Sequence, residues 1–287
     1  MCDLLHMNTA ADRSQEAQKI ILSLRPLLLE GFSPTPGATL RKLDTVSKTS
    51  FRDIVTVYDK RVEEALLEKL AKSFPGETFI GEESSAALKK HPRDQAQGKS
   101  GFWLLDPIDG TTNFSRSYPF FCCTMSYVER TPSGLQVQSA VTFNPVSGEI
   151  FHAARGQGAW LGRDRLHVSA VENPQEALLT TGFASLRSHE DHKSFHIFKN
   201  LTEETLGVRR DGSAALDLAY VAAGRIDAYW EWGLSAWDIS AGTLLVEEAG
   251  GFVTRHDGSG VDLFEGEILS SNSRLHKWLI HKIKGQE

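Results

Sequence analysis

Three cysteines in 287 residues are too few for a disulfide framework. Cys122 and Cys123 are adjacent and Cys2 stands near the start, so all three are expected to be small buried hydrophobes without redox chemistry. No apolar run approaches the roughly 20 residues that a bilayer span requires. The opening segment, MCDLLHMNTAADR, has neither a basic stretch nor a long apolar one, so no signal peptide is expected and a cytoplasmic location is. Basic residues are not in excess: 31 Lys+Arg against 37 Asp+Glu give a net charge of -6, with no general attraction to nucleic acid or to an anionic membrane. Linkers, internal repeats and low-complexity tracts are also missing. What is present is an ordinary globular balance, 40% hydrophobic and 24% charged, with ample capacity to bury a core.

Periodicity divides the chain into two halves. Asp12 and Ser14 are candidate caps for a helix through QEAQKIILSLRPLLLEGF, with a kink expected at Pro26. In DKRVEEALLEKLAKSF, Val62, Ala65, Leu66, Leu70 and Phe74 recur at helical spacing, with Asp59 as a candidate cap and Pro75-Gly76 as the stop. TFIG is a short strand leading into Glu82 and Glu83, and SSAALKKHPRDQAQGKS is expected to be an exposed connection. FFCCTMSYVER, LQVQSAVTFNP and EIFHAAR are separated by the turn signals TPSG and NPVSG, which predicts an antiparallel meander. From residue 176 strands and helices alternate down to a terminal helix. The expected fold is a mixed α/β sandwich, one domain over 1–287 with two packed lobes, about 1–170 and 171–287.

Four acidic stretches stand where a strand ends or a helix begins: DIVTVYD (53–59), GEES (81–84), DPIDGTTNF (106–114) and WDISAG (237–242). Taken singly, each has a plain explanation. Asp59 and Asp238 suit helix caps, Glu82 suits a surface, and Asp106 and Asp109 suit a turn. Taken together and in this order, from about Gln15 to the C-terminus, they resemble the inositol monophosphatase family of magnesium-dependent, lithium-sensitive sugar phosphatases. The resemblance implies a five-layer αβαβα sandwich, a homodimer, and a phosphate monoester as substrate; the charge balance and the lack of a long apolar run leave no nucleic-acid or membrane partner expected. The resemblance also implies two to three Mg²⁺ ions. Glu82, Asp106 and the Ile108 carbonyl match the ligands of the first, and Asp106, Asp109 and Asp238 those of the second. A third, weaker ion would lie beside Glu82. Thr111 paired with Asp59 matches the group that orients and helps deprotonate the attacking water. Gly212, Ser213 and Ala214 match the segment that hydrogen-bonds sugar hydroxyls, and Glu231 a carboxylate that accepts from them, against its plain reading as a solvated acid ending a strand. Lys48 matches a lysine of a loop near the metals, and an exposed loop lysine is an equally good reading of it.

Elementary chemistry points the same way. Asp106 and Asp109 have no lysine or arginine near them in sequence, and unpaired carboxylates this close repel and are costly to desolvate. A hard dication takes carboxylate, carbonyl and water oxygens, and it reverses the local sign of charge so that acids attract a phosphate. Gly110 and Thr111 are expected to open a helix whose free N–H groups suit phosphate oxygens. Two other motifs carry no function. GQGAWLG (156–162) is expected to be a hairpin rather than a dinucleotide loop, and His192 and His196, with no third ligand evident, a solvated helix face. Val57, Tyr58 and Ser240 depart from the family pattern without being ligands. The rival functions are phosphatases of fructose 1,6-bisphosphate, histidinol phosphate or 3′-phosphoadenosine 5′-phosphate, and, from another class, a regulatory or scaffolding protein. Thr112 stands where the adenosine-phosphate enzymes carry lysine, which weakens that option.

Overall fold

The computed structural model describes residues 9–32, 46–47, 54–184 and 191–285; Cys2 and Lys48 lie outside them, as does the His192 side chain. Helix α1 (Ala10–Ser23) begins at Thr9, whose hydroxyl accepts the Asp12 N–H while the Asp12 carboxylate takes the Thr9 N–H. Asp12 is therefore the third helical residue and not the cap, and Ser14 is buried within the helix. At Pro26 the chain does more than kink: a second helix, α2 (Arg25–Gly31), starts there with the proline in its first turn. Strands β1 (Val46–Ser47) and β2 (Ile54–Val55) pair as an antiparallel ribbon.

Helix α3 (Val57–Ser73) repeats the capping logic, with Thr56 as the cap and Asp59 as the third residue rather than the cap. Its stripe of Val62, Leu66 and Leu70 is fully buried. After β3 (Phe79–Gly81), the expected exposed connection is instead two short helices, α4 (Glu82–Leu88) and α5 (Pro92–Ala96). Pro92 presets the first turn of α5, the His91 Nδ1 accepts the Arg93 N–H, and Pro92 and Ala96 are buried.

The next segment supplies β4 (Gly101–Asp109), α6 (Thr111–Ser115), β5 (Cys122–Thr131), β6 (Gly134–Phe143), β7 (Ile150–Ala154), β8 (Ala159–Leu161) and β9 (Asp164–Arg165). Strands β3 to β9 lie side by side in chain order; β3 and β4 are parallel and every later pair is antiparallel. The meander is thus as expected, and residues 156–162 belong to the β7–β8 hairpin. The remainder supplies β10 (Leu178–Thr181), α7 (Asp191–Glu204), β11 (Gly207–Arg209), α8 (Ala214–Ala222), β12 (Ala228–Trp232), α9 (Ala236–Glu248), β13 (Phe252–Thr254), β14 (Glu267–Ser271) and α10 (His276–Lys284). Its five strands are ordered β11-β10-β12-β14-β13, with β10 parallel to both neighbours and β14 antiparallel to both of its own.

Alternation along the strands converts this order into layers. Trp103 and Leu105 of β4 pack with α1, α2 and α3, while Phe102 and Leu104 on the opposite face pack with α8 and α9. Tyr229 and Ile268 of the small sheet meet those same two helices, and Trp230 and Leu269 face α7 and α10. The result is the five-layer αβαβα sandwich. Helix α9 lies between two sheets and is buried on most sides, through Trp237, Ile239, Leu244, Leu245 and Val246. Burying each such large side chain contributes about 1.5–3 kcal/mol. The departures from the family pattern fit locally. Tyr58 is buried against Phe114, and the Ser240 hydroxyl pairs with that of Ser126 at 2.7 Å, bridging α9 to β5.

Candidate active site

Asp106 and Asp109 are three residues apart, a spacing that puts side chains on opposite faces of a regular strand. Their partners on β5 are Thr124 and Cys122, only two apart, because β4 carries a bulge between them. The extra residue brings both carboxylates to the face that looks toward α8 and α9. Pro107 sits in the bulge, where its missing N–H forfeits no ladder bond. Gly110 then turns the chain at φ +89°, and a Cβ there would lie 3.2 Å from the Phe120 and Gly212 carbonyl oxygens, so glycine is required. Helix α6 follows, and Asn113 donates from Nδ2 to the Phe120 and Asp211 carbonyls at 2.6 and 2.8 Å, tying this loop to the approach to α8.

Asp238 comes from the first turn of α9, where it accepts the Ser235 N–H at 2.7 Å as the third helical residue, not as the cap. Asp106, Asp109 and Asp238 have carboxylate oxygens all within 4.8 Å of one another. Glu82, at the start of α4, lines the same cavity but stands outside that triad. Asp109 is held from the other sheet's side: its Oδ2 accepts the Ser213 hydroxyl at 2.6 Å and the Ala215 N–H at 2.8 Å. The hydroxyl of Ser213, itself buried, is thus committed to Asp109. Asp106 accepts the Ile108 N–H at 2.9 Å.

The Thr111 hydroxyl lies 2.9 Å from Asp59 Oδ1 and 3.0 Å from the Ile108 carbonyl oxygen. One proton cannot serve both acceptors fully, and the charged one holds it more strongly. Asp59 Oδ2 is occupied by the Thr56 N–H and hydroxyl, so Thr111 meets the remaining oxygen of a buried carboxylate. Burial pushes the Asp59 carboxyl up to about 6, partly opposed by the Thr56 bonds.

Glu82, Asp106, Asp109, Thr111 and Asp238 line a cavity of about 620 Å³ between the two sheets, together with Gly212, Ser213, Ala214 and Glu231, and Asp59 stands behind Thr111. Glu231 is 5% exposed, which removes its reading as a solvated acid at a strand end. Its Oε1 accepts the Ala184 N–H at 2.7 Å and its Oε2 the Tyr229 hydroxyl. Among the lining residues that sequence reasoning missed are Arg210, the aromatic Phe183, and Asp217, a buried acid bonded by the Thr180 hydroxyl. No local signal marks them; Asp217, for one, is turned inward by the packing of α8 on β10.

Electrostatics decides what the cavity can hold. Burial, then repulsion from Glu82, Asp109 and Asp238, drives the Asp106 carboxyl well above the ordinary range. Burial does the same to Asp238, and it raises Asp109 to about 6 against the opposing bonds from Ser213 and Ala215. A hard dication relieves all three at once, and carboxylates at this spacing are the oxygen donors it takes. The residues fit the metal that the resemblance implies.

Comparison with known proteins gives the chain's family. The inositol monophosphatase family model matches residues 15–287. An inositol-1-monophosphatase of Caulobacter vibrioides is 39% identical over 244 residues, covering 83% of this chain and 90% of that one. A Nus factor SuhB of Pseudomonas aeruginosa is 38% identical over 250 residues, covering 86% and 89%. The solved structure of an inositol monophosphatase from Anabaena superposes with a TM-score of 0.79 at 33% identity, covering 95% of each chain. The chain belongs to the inositol monophosphatase family of phosphatases.

Proposed function

We propose that the protein is a Mg²⁺-dependent phosphomonoesterase that hydrolyses an inositol monophosphate to inositol and phosphate. The observation that carries this reading is the triad Asp106, Asp109 and Asp238, whose oxygens converge within 4.8 Å in a cavity that also presents Thr111 and Glu231. Asp106, Asp109, Asp238, Glu82 and the Ile108 carbonyl would hold the two to three ions. Bound Mg²⁺ supplies the positive charge that admits a phosphate to an acidic cavity and makes a neighbouring water more acidic. Thr111 Oγ1 takes a proton from the attacking water as its own proton passes to Asp59 Oδ1. Gly110 and Thr111 line the phosphate end, while Gly212, Ala214 and Glu231 line the end open to the polyol. Ser213 aims Asp109. A homodimer and lithium sensitivity complete the reading on the family resemblance; a cytoplasmic location and a single catalytic unit over 1–287, with lobes meeting near residue 170, complete it on the sequence pattern. The regulatory alternative draws only on the name Nus factor carried by some relatives.

Phosphate release from inositol 1-phosphate, fructose 1,6-bisphosphate, histidinol phosphate and 3′-phosphoadenosine 5′-phosphate, each with and without Mg²⁺, tests the substrate. Inositol 1-phosphate should give the highest kcat/KM. A better substrate among the other three would displace it.

Glu231 gives a finer test. Each hydrogen bond from a ring hydroxyl to this charged acceptor is worth about 1.5–3 kcal/mol, roughly ten- to more than a hundred-fold in kcat/KM. Glu231→Ala should lose that factor on inositol 1-phosphate and little on p-nitrophenyl phosphate; equal losses on both would remove Glu231 from recognition. The same residue predicts a pH-dependent stability. Burial raises its carboxyl from 4.5 to about 7, so its favourable contribution is complete below the unfolded value and is lost as pH rises through about 7. A glutamine can accept from Ala184 and donate to Tyr229. Glu231→Gln should therefore be more stable than wild type by about 2–3 kcal/mol at pH 8, with the gap closing near pH 5 in denaturant titrations.

A further inference from the structure

Helix α4 begins without a capping side chain of its own, because the residue at its cap position is Gly81. The first N–H groups of a helix need acceptors from elsewhere. Glu63, on α3, supplies them: its Oε2 accepts the Glu83 N–H at 2.8 Å and its Oε1 the Ser84 N–H at 2.7 Å. Glu63 is only 3% exposed, so these bonds stand where water would otherwise be. A Cβ at position 81 would lie 2.4 Å from Glu63 Oε2, so the glycine is what lets the carboxylate reach the helix start.

Glu82 lies between these anchors. On one side Gly81 is paired in register with Leu105, the residue before Asp106; on the other, Glu83 and Ser84 are clamped by Glu63. Glu63 also follows Asp59 by one helical turn, so one face of α3 bonds Thr111 through the first acid and the start of α4 through the second.

We propose that Glu63 is a positioning residue for metal binding: by clamping the first turn of α4 it fixes Glu82 at the rim of the Asp106–Asp109–Asp238 triad. This rests on the reading of Glu82 as a metal ligand. Glu63 touches neither metal nor substrate, and its effect passes through the α4 backbone.

The test titrates Mn²⁺ into wild type, Glu63→Gln, Glu63→Asp and Glu82→Gln, following free Mn²⁺ by electron paramagnetic resonance, with phosphate release as a second readout. In Glu63→Gln the amide NH₂ faces one of the two N–H donors, and losing such an outer partner typically weakens metal binding about 10–100-fold. The expected result is a loss in that range, with KM for inositol 1-phosphate at saturating metal near wild type and kcat largely restored there. Glu63→Asp keeps the charge but withdraws it by one methylene, and should fall between. A cap that only stabilises the fold would lower the melting temperature in chelator and leave Mn²⁺ affinity unchanged, and that outcome overturns the proposal. If Glu63→Gln does not fold, unchanged affinity in Glu63→Asp overturns it equally. Weakened binding in Glu82→Gln with none in the Glu63 variants defeats the positioning role alone; unchanged binding in Glu82→Gln defeats the ligand reading and the positioning role with it.

Discussion

Asp109→Asn should cut turnover by several orders of magnitude while leaving the metal-free protein at least as stable as wild type. Asp109 Oδ2 accepts from the Ser213 hydroxyl and the Ala215 N–H. Asparagine can keep both bonds only by placing its carbonyl oxygen there, which puts the amide NH₂ where Oδ1 had been. The atom proposed to bind metal then lacks both a negative charge and an available lone pair. In the metal-free protein the change is favourable, since it removes a buried acid whose carboxyl is pushed up to about 6 and sets a donor beside Asp106 and Asp238. Wild-type enzyme in excess chelator should be equally silent. Phosphate release and melting in chelator measure the two halves. Activity that survives chelation, or a near-normal Asp109→Asn enzyme, would sink the metal-dependent reading.

Thr111→Ala should lower kcat by roughly 10²–10⁴-fold, the usual worth of general-base assistance, with KM little changed. The Thr111 hydroxyl reaches the Asp59 oxygen that Thr56 does not occupy, so its removal takes away the proposed proton relay. Thr111→Ser retains the hydroxyl and should recover most of the loss. Metal affinity should hold, because the threonine side chain is not among the proposed ligands. An effect confined to KM would make Thr111 a binding residue and remove the pairing with Asp59 from the mechanism.

The mixed α/β sandwich was legible in the order of strands and helices, whereas its five layers came from the family resemblance. Their physical basis is alternation, with Phe102 and Leu104 on one face of β4 and Trp103 and Leu105 on the other, as a sheet covered by helices on both sides demands. The acidic stretches were legible as a set. Their local geometry was not. Thr9 to Asp12, Thr56 to Asp59 and Ser235 to Asp238 share one spacing, hydroxyl residue first and acid three later. A carboxylate can serve a helix start from either position, and composition alone favours the acid as cap. The bulge between Asp106 and Asp109 was hidden as well, since it is defined by the partner strand. Residues 84–100 looked like a connection because their polar content outweighs the two buried anchors, Pro92 and Ala96, that seat α5. Glu63 resembled any acid on an amphipathic helix until α4 was seen against it.

The bond between Ser213 and Asp109 joins positions 104 apart in sequence, that between Ser126 and Ser240 spans 114, and that between Thr111 and Asp59 spans 52. Closing loops of this size is slow, and such contacts form late. A chain that has built its large sheet but not yet docked α8 has Asp109 without its partners and no finished acidic cavity. On the proposed reading catalysis is withheld from partly folded molecules, and a bound ion would act as a rivet applied after assembly. At a free concentration a hundredfold above its dissociation constant, such an ion would add about 2.7 kcal/mol to the cost of unfolding. That increment falls on the seam between the sheets, so amide exchange should slow most at the end of β4 and the start of α8, and least at the outer helices α7 and α10.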